Sequence, residues 1–238
     1  MALPYFYIPT YDPASAGLTL DEDNSRHAVQ VLRMQRGEAL QLTDGKGSLL
    51  TATIVDDHKK KCRVAITAAL TSPQRATSTT IAISPLKNGS RFEWFLEKAT
   101  EIGVSAIIPT LCERTERSSI RQQRLQNILV SAMLQSQQTW LPVLSDPMSL
   151  EQLIREVDAP RRYIAHCLEA PRATDNLAGV VREQTPAASL ILIGPEGDLS
   201  PKEVETALAA GYRPVSLGAN RLRTETAGIV AATLLCIR

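Results

Sequence analysis

The sequence predicts an α/β protein with a small β-rich N-terminal domain and a larger C-terminal domain built on a parallel sheet. Three observations support this prediction. Asp44-Gly45 separates two strand-like runs, which is typical of a β-hairpin. From residue 80 onward apolar runs alternate with helical patterns, and strands that alternate with helices form parallel sheets. Residues 73–79 are polar and begin with Pro73, so we place a linker there between domains at 1–72 and 80–238.

The composition is that of an ordinary globular protein. The chain has 238 residues, and 26 Lys and Arg against 25 Asp and Glu give a formal charge of +1. Any nucleic-acid-binding function must therefore rest on local patches of charge. The four cysteines are far apart and the three histidines form no ligand pattern, so we expect neither disulfides nor a metal. We expect a cytoplasmic protein with no signal peptide and no membrane span.

The N-terminal domain is predicted from the strands around its hairpin. Residues 40–43 and 50–55 form the hairpin, residues 63–67 form a third strand, and a short helix covers 25–34. Several cations fall on or beside the predicted surface turns, where they could contact phosphates. They are Arg26, Arg33, Arg36 and Lys46, with the run Lys59-Lys60-Lys61 nearby. The alternative for this region is a solvated basic face without a partner.

The C-terminal domain begins with a strand, a helix and a second strand. The strands are predicted at 80–83 and 106–109, and the helix between them ends at Gly103. Lys87 and Arg91 are predicted in the loop before this helix, where they could contact a nucleic acid. Further helices are predicted at 121–138 and 150–157, and a strand at 163–168.

The last fifty residues contain two strands that each end in a glycine-containing loop. Residues 190–193 run into Gly194, and residues 215–217 run into Gly218. The helix between them has a capping serine, Ser200, followed by Pro201 and Glu203. In a right-handed parallel sheet both loops emerge at the carboxyl edge, where such sheets bind ligands. The loops fit neither phosphate-binding fingerprint, and the alternative is that their glycines only turn the chain.

These motifs together resemble a known family. The segments 192–197, 217–218 and 222–227 resemble the C-terminal signature of the RsmE family of SPOUT-class methyltransferases. The stretch 27–33, followed by Gly37-Glu38 and Asp44-Gly45, resembles the PUA-like RNA-binding domain of the same family, and the segment 92–103 also resembles the family. The resemblance implies a C-terminal SPOUT-type parallel sheet with a trefoil knot. It also implies methylation of N3 of a uridine in 16S ribosomal RNA.

The resemblance implies that S-adenosyl-L-methionine is bound by loops after three strands. The predicted cofactor-binding residues are Cys167, Leu168, Ile193, Gly194, Glu196, Gly197, Leu217, Gly218, Asn220, Leu222, Arg223, Thr224 and Ala227. The predicted RNA-binding residues are Arg26, His27, Arg33, Arg36, Lys46, Lys87, Arg91 and Arg114. The partner would be 16S ribosomal RNA or the small ribosomal subunit, and no membrane or metal would be involved.

The reaction at uridine N3 narrows the choice of catalytic residues. This imide nitrogen is a poor nucleophile until it loses its proton, so a base or a cation beside the neighbouring oxygens is required. Arg223 suits the second role because a guanidinium stays charged. Glu196 or Glu225 could be the base, and each could instead stabilise a loop or the helix dipole.

The sequence departs from the family pattern at one place, and two further functions stay open. The commoner family pattern has an acidic residue and an arginine beside the Gln-Ser pair, where this chain has Leu134 and Gln138. A non-catalytic RNA-binding assembly factor is therefore one alternative, and an unrelated nucleotide-binding enzyme is another. The final helix, 227–237, is apolar on nearly all sides, which indicates a homodimer through this helix.

Overall fold

The structure, a computed structural model, describes residues 3–116, 119–167 and 175–237. The chain divides into two compact units, Met1–Gln74 with Met133–Leu141, and Arg75–Ala132 with Pro142–Arg238. The strands are β1 (Tyr5–Tyr7), β2 (Gly17–Thr19), β3 (Ala39–Thr43), β4 (Ser48–Asp56), β5 (Arg63–Thr71), β6 (Thr79–Ile83), β7 (Ala106–Leu111), β8 (Val143–Leu144), β9 (Met148–Ser149), β10 (Arg161–Ala165), β11 (Asp175–Asn176), β12 (Ser189–Ile193) and β13 (Arg213–Ser216). The helices are α1 (Glu22–Arg26), α2 (Gly89–Ile102), α3 (Gln122–Gln135), α4 (Leu150–Glu156), α5 (Leu177–Glu183), α6 (Pro201–Ala209) and α7 (Thr224–Cys236).

The first unit is a five-stranded sheet in the order β1-β3-β4-β5-β2. The predicted hairpin is confirmed as β3 and β4, whose turn is held by Asp44, because its Oδ1 accepts hydrogen bonds from the backbone N–H of Lys46 at 2.8 Å and of Ser48 at 3.1 Å. Alternate residues of the strands face inward, and Leu40, Leu42, Leu50 and Ile54 form much of the core.

The short helix of this unit begins earlier than the sequence predicts. Asp21 accepts a hydrogen bond from the backbone N–H of Asn24 at 2.7 Å and so starts α1 ahead of the predicted Ser25. The helix continues as one π-helical turn, His27–Val31, and Arg33 then takes a left-handed φ of 57°. The prediction of a helix over 25–34 is therefore wrong at both ends, since the cap and the left-handed residue set its limits.

The first unit is completed by a segment from the middle of the chain. The backbone N–H of Gly47 donates to the Thr139 carbonyl at 2.9 Å, and the Trp140 indole N–H donates to the Ser72 carbonyl at 3.2 Å. The Tyr5 hydroxyl donates to the Gln138 carbonyl at 3.0 Å. These bonds explain why Met133–Leu141 groups with the N-terminal residues. The helix predicted over 121–138 ends earlier, at Gln135, so this segment consists of the last three residues of α3 and the six residues after it.

The second unit is a parallel sheet in the order β11-β13-β10-β12-β6-β7-β8, with β9 beside β7. The first βαβ unit is confirmed, because α2 lies between β6 and β7 and ends at Gly103. Arg91, which the sequence places in a loop, lies in the first turn of α2, because Asn88 caps the helix four residues before the first apolar position, Phe92. Ser200 and Glu203 form the predicted capping box of α6.

Chain order and sheet order differ at the strands that position the site. β12 lies between β10 and β6, while β13 pairs with the opposite edge of β10. The carboxyl ends of β10, β12 and β13 are therefore neighbours. After β13 the chain returns to α7, which packs against α2, α5, β6 and β12. The trefoil knot stays a prediction. In the described ranges no helix is both long and apolar enough to cross a membrane.

Candidate active site

A cavity of about 410 Å³ opens at the carboxyl ends of β10, β12 and β13. Its volume is in the range of small-molecule sites. The loops after the three strands and the first turns of α2 and α7 form its walls. The lining residues are Arg91, Ala165, His166, Cys167, Ile193, Gly194, Pro195, Glu196, Asp198, Val215, Ser216, Leu217, Gly218, Asn220, Arg221, Leu222, Arg223, Thr224 and Ala227.

The loop after β12 is fixed by contacts at both of its ends. The Gly194 carbonyl accepts a hydrogen bond from the Thr224 hydroxyl at 3.1 Å, which joins this loop to the start of α7. Asp198, with φ of 64°, accepts a hydrogen bond from the backbone N–H of Cys167 at 2.9 Å through Oδ2. Asp198 therefore ties the loop after β12 to the loop after β10, and the cavity walls are held together by short polar links.

The loop after β13 presents bare backbone to the cavity. Gly218 has φ of 139°, a conformation that residues with a side chain rarely adopt. A Cβ at this position would meet no other atom within 4 Å, so the glycine faces open space. The Ser216 hydroxyl donates to the Gly218 carbonyl at 3.0 Å and keeps the loop in this form. A ligand can therefore approach the backbone closely here.

Three charged groups from different elements meet beside this cavity. Arg91 of α2 places Nη1 3.4 Å from Oε1 of Glu196 and Nε 3.8 Å from Oε1 of Glu225. Glu225 is buried, with 6% of its surface exposed, and within the described ranges its Oε2 has no hydrogen-bond partner. Glu196 lines the cavity and Glu225 does not. The two glutamates that the sequence left as equal candidates thus occupy different positions relative to a ligand.

His166 and Arg223 are among the other ionisable residues that line the cavity. Burial lowers the pKa of His166, an effect that the nearby Asp198 carboxylate partly opposes. Neutral imidazole is therefore the favoured form at pH 7. Arg223 precedes α7 and makes no capping hydrogen bond with its side chain. Within the described part of the chain its guanidinium has no ion-pair partner, so its donors are available to a ligand.

Most predicted cofactor-binding residues are brought together by the fold. Gly197 is outside the lining, and its carbonyl accepts a hydrogen bond from Arg114 at 2.9 Å. Leu168 lies outside the described residues. The lining includes the other predicted residues, Cys167, Ile193, Gly194, Glu196, Leu217, Gly218, Asn220, Leu222, Arg223, Thr224 and Ala227. Sequence reasoning did not assign to the cavity Arg91, Ala165, His166, Pro195, Asp198, Val215, Ser216 and Arg221.

The signal for some of these missed residues was present in the sequence. Pro195 and Asp198 belong to the same glycine-containing loop as the assigned Glu196, and Arg221 lies between two assigned positions. The sequence placed Arg91 with the RNA-binding residues, although in the structure it lines the cavity together with Glu196. Its place depends on the packing of α2 beside α7, which no local pattern reports.

The predicted RNA-binding residues are distributed over both units. In the first unit Arg26, His27, Arg33, Arg36 and Lys46 are all exposed. Arg26 pairs with Glu22 at 2.8 Å, and the His27 ring packs edge-on against Phe6 at 5.6 Å. In the second unit Lys87 and Arg114 are exposed, and Lys87 pairs with Glu116 at 2.7 Å. None of these pairs buries its cation, so all remain accessible to a polyanion.

Comparison with known proteins identifies the class to which this fold and cavity belong. Residues 73–236 match the family described as an RNA methyltransferase domain, and residues 20–67 match the RNA methyltransferase PUA domain. The chain belongs to this RNA methyltransferase family. The resemblance to the RsmE family is confirmed, and so is the predicted fold class of a parallel α/β sheet with a PUA-like β domain.

Individual relatives agree with this family along nearly the whole chain. Ribosomal RNA small subunit methyltransferase E of Synechocystis is 32% identical over 91% of this chain and 71% of its own length. The structure of a probable rRNA methyltransferase from Porphyromonas gingivalis has 40% identity and a TM-score of 0.88, covering 99% of this chain and all of that one. Ribosomal RNA small subunit methyltransferase E from Neisseria gonorrhoeae, solved with S-adenosyl methionine, has 28% identity and a TM-score of 0.84, covering 97% and 95%.

Proposed function

We propose that the protein transfers a methyl group from S-adenosyl-L-methionine to N3 of a uridine in the 16S ribosomal RNA of the small subunit, in the cytoplasm. The observation that carries the proposal is the cavity formed by three loops at the carboxyl ends of β10, β12 and β13. The relatives add support, since the Neisseria protein was solved with S-adenosyl methionine and the Synechocystis protein is named for small-subunit ribosomal RNA.

The cavity fits the methyl donor in its chemistry. The bare backbone at Gly218 leaves room that a side chain would fill. Ile193, Leu217 and Leu222 give apolar walls suited to a purine ring, beside backbone groups that can hydrogen-bond its edge. When bound, S-adenosyl-L-methionine supplies a methyl group on a sulfonium, so the protein mainly needs to orient the acceptor and exclude water.

The residues around the cavity divide the remaining tasks. The edge of uracil presents one N–H donor between two carbonyl acceptors. The carboxylate of Glu196, which lines the cavity, accepts the N3 proton, while a guanidinium beside it stabilises the charge that develops on a neighbouring carbonyl oxygen. Arg223 and Arg91 both line the cavity and can supply that guanidinium.

Glu225 acts through Arg91 in this scheme. It is buried, it lies outside the cavity lining, and its Oε1 is 3.8 Å from Nε of Arg91. The Arg91 side chain is thereby held between two carboxylates, with Nη1 towards Glu196. Glu225 is then a positioning residue, and Glu196 is the candidate base.

A non-catalytic RNA-binding factor is the second candidate function. The departures from the family pattern at Leu134 and Gln138 favour it, because any role that the family gives to the side chains at these two positions does not carry over to this chain. The open backbone of the cavity, with Arg223 available inside it, favours the enzyme. A binding protein that no longer needed its cofactor would have no reason to keep such a cavity clear.

The experiment combines calorimetric titration of S-adenosyl-L-methionine with a methylation assay on 16S ribosomal RNA. We expect saturable binding by the wild type, loss of binding in Gly218→Trp, and 3-methyluridine in the RNA by mass spectrometry. Gly37→Trp is the matched control, since Gly37 also has a positive φ, 93°, and no atom within 4 Å of a Cβ, but lies in the other unit. Cofactor binding without methylated product would favour the binding factor.

A further inference from the structure

A second cavity, of about 280 Å³, lies between the first turns of α2 and α3. Its floor is apolar and deeply buried, formed by Leu86, Phe92 and Leu125. Arg121 and Arg124 stand at its rim. We call the cavity at the carboxyl ends of β10, β12 and β13 the methyl-donor cavity. None of the residues of the second cavity belongs to its lining, and the proposed methyl transfer does not use them.

The charges at the rim favour an anion. Arg124 is bound by the Glu93 carboxylate through two hydrogen bonds, at 2.6 Å and 2.9 Å, so its charge is balanced. Arg121 is exposed, and in the ranges that the structure describes its side chain has no ion-pair partner. The first turns of α2 and α3 contain no acidic residue, which leaves the positive ends of two 14-residue helices uncompensated.

The shape and chemistry of this cavity are those of a nucleotide site. The slot above the apolar floor can take a base, while the polar part of the lining, the Arg121 guanidinium and the helix N-termini suit a phosphate. Small apolar ligands would not need Arg121, and a free inorganic anion would not need the buried floor.

The two cavities are lined by neighbouring residues of α2. Arg91 lines the methyl-donor cavity, whereas its chain neighbours Ser90 and Phe92 line the second one. Consecutive Cα atoms are only about 3.8 Å apart, so both cavities open beside the first turn of α2, where one strand of RNA can reach them with adjacent nucleotides. Sequence-specific RNA proteins commonly hold unstacked bases in this way.

We propose that the second cavity binds a nucleotide adjacent to the target uridine, with its base in the slot of Leu86, Phe92 and Leu125 and its phosphate on Arg121. The inference rests on the proposed function, because the target uridine must lie beside the methyl donor that the first cavity holds. The second cavity then contributes to the choice of uridine and keeps the flanking nucleotide out of the stack, which exposes the target.

The test uses the full-length protein and an RNA fragment containing the target, in which the nucleotide on either side is replaced in turn by an abasic one. With the wild type we expect one of the two abasic RNAs to lose about tenfold in kcat/KM, which corresponds to about 1.4 kcal/mol and lies within the range for stacking of one base. Ser90→Trp should fill the slot from its exposed rim, lose a similar factor on intact RNA, and show no further loss on the abasic RNA.

Arg121→Ala extends the test to the phosphate. We expect KM for RNA to rise about tenfold with kcat and cofactor affinity unchanged. Arg155→Ala is the control, because Arg155 is an exposed arginine of the same unit outside both cavities. If the wild type methylates the RNA but both abasic RNAs react as well as the intact one, the nucleotide site is wrong while the proposed function stands. Absence of methylation by the wild type would instead contradict the proposed function.

Discussion

At the scale of single residues, the structure separates two glutamates that the sequence could not rank. Glu196 is exposed to the cavity, and Glu225 is buried behind Arg91. We expect Glu196→Gln to lower kcat by about 10²-fold or more, as removal of a general base does, with cofactor affinity retained. Glu225→Gln should raise KM for RNA and lower kcat less, because Arg91 loses one of its two anchors. The measurement is single-turnover methylation with calorimetry of the cofactor.

The comparison of Glu196→Gln with Glu225→Gln has a control that keeps the negative charge at position 225. Glu225→Asp retains a carboxylate and should recover part of the activity that Glu225→Gln loses if the residue positions Arg91. Equal losses in Glu196→Gln and Glu225→Gln, with no recovery in Glu225→Asp, would contradict the division of roles.

Two cysteines on the same unit are expected to differ in reactivity. Burial, with the Glu203 carboxylate nearby, raises the pKa of Cys112 to about 12, so its reactive thiolate is scarce at pH 8. Cys167 is exposed and lines the cavity. We expect iodoacetamide to alkylate Cys167 well before Cys112 in the native protein, and S-adenosyl-L-methionine to slow that alkylation. Peptide mass spectrometry measures the alkylation rate of each cysteine with and without S-adenosyl-L-methionine. Labelling of Cys112 as early as Cys167 would contradict the burial of the Cys112 thiol.

At the scale of elements, the packing of α7 on α2 requires a glycine. A Cβ on Gly228 would lie 2.6 Å from Cε2 of Phe95 and 2.9 Å from Cδ1 of Ile83, both buried side chains. Gly228→Ala should therefore lower the free energy of unfolding by about 1–3 kcal/mol, the usual cost of overpacking a core. Urea denaturation measures this free energy.

The matched control is the same substitution in another helix. A Cβ on Gly179 of α5 would meet no atom within 4 Å. Gly179→Ala should raise the free energy of unfolding by about 0.5–1 kcal/mol, because alanine has the higher helix propensity. If both variants change the free energy of unfolding in the same direction, the contacts of Phe95 and Ile83 with Gly228 are not what excludes a side chain there.

At the scale of the whole molecule, the N-terminal unit depends on residues far along the chain. Trp140 donates a hydrogen bond to the Ser72 carbonyl and covers Gly47. We expect Trp140→Ala to destabilise this unit by about 2 kcal/mol, from lost packing and one lost hydrogen bond. Hydrogen exchange at the β3–β4 amides should then accelerate. Trp94→Ala, which removes an exposed tryptophan of the other unit, should leave exchange at these amides unchanged.

The oligomeric state is a second prediction at this scale. Ile229, Val230 and Leu234 of α7 are only partly covered, and Ile237 beside its end is 66% exposed. An apolar face of this kind favours association with a second copy of the chain. We propose a homodimer through α7 and expect light scattering to give about 52 kDa, twice the 26.0 kDa of the chain. Val230→Lys should give a monomer, and a monomeric wild type at micromolar concentration would contradict the dimer.

Local patterns in the sequence were sufficient for many elements and for much of the cavity. The Asp-Gly hairpin, the capping box of α6 and the end of α2 at Gly103 are confirmed, because turn and cap chemistry acts within a few residues. The glycine-containing loops after β12 and β13 were assigned to one site because carboxyl ends of parallel strands share an edge.

Only the tertiary structure decided how distant residues combine. The order β13-β10-β12-β6 brings the loops of three strands together, and the packing of α7 on α2 brings Arg91 between Glu196 and Glu225. The same folding joins Met133–Leu141 to the N-terminal unit and opens a second cavity beside the first. These features arise from contacts between residues far apart in the chain. Side-chain burial and backbone pairing determine such contacts, and no short sequence pattern encodes them.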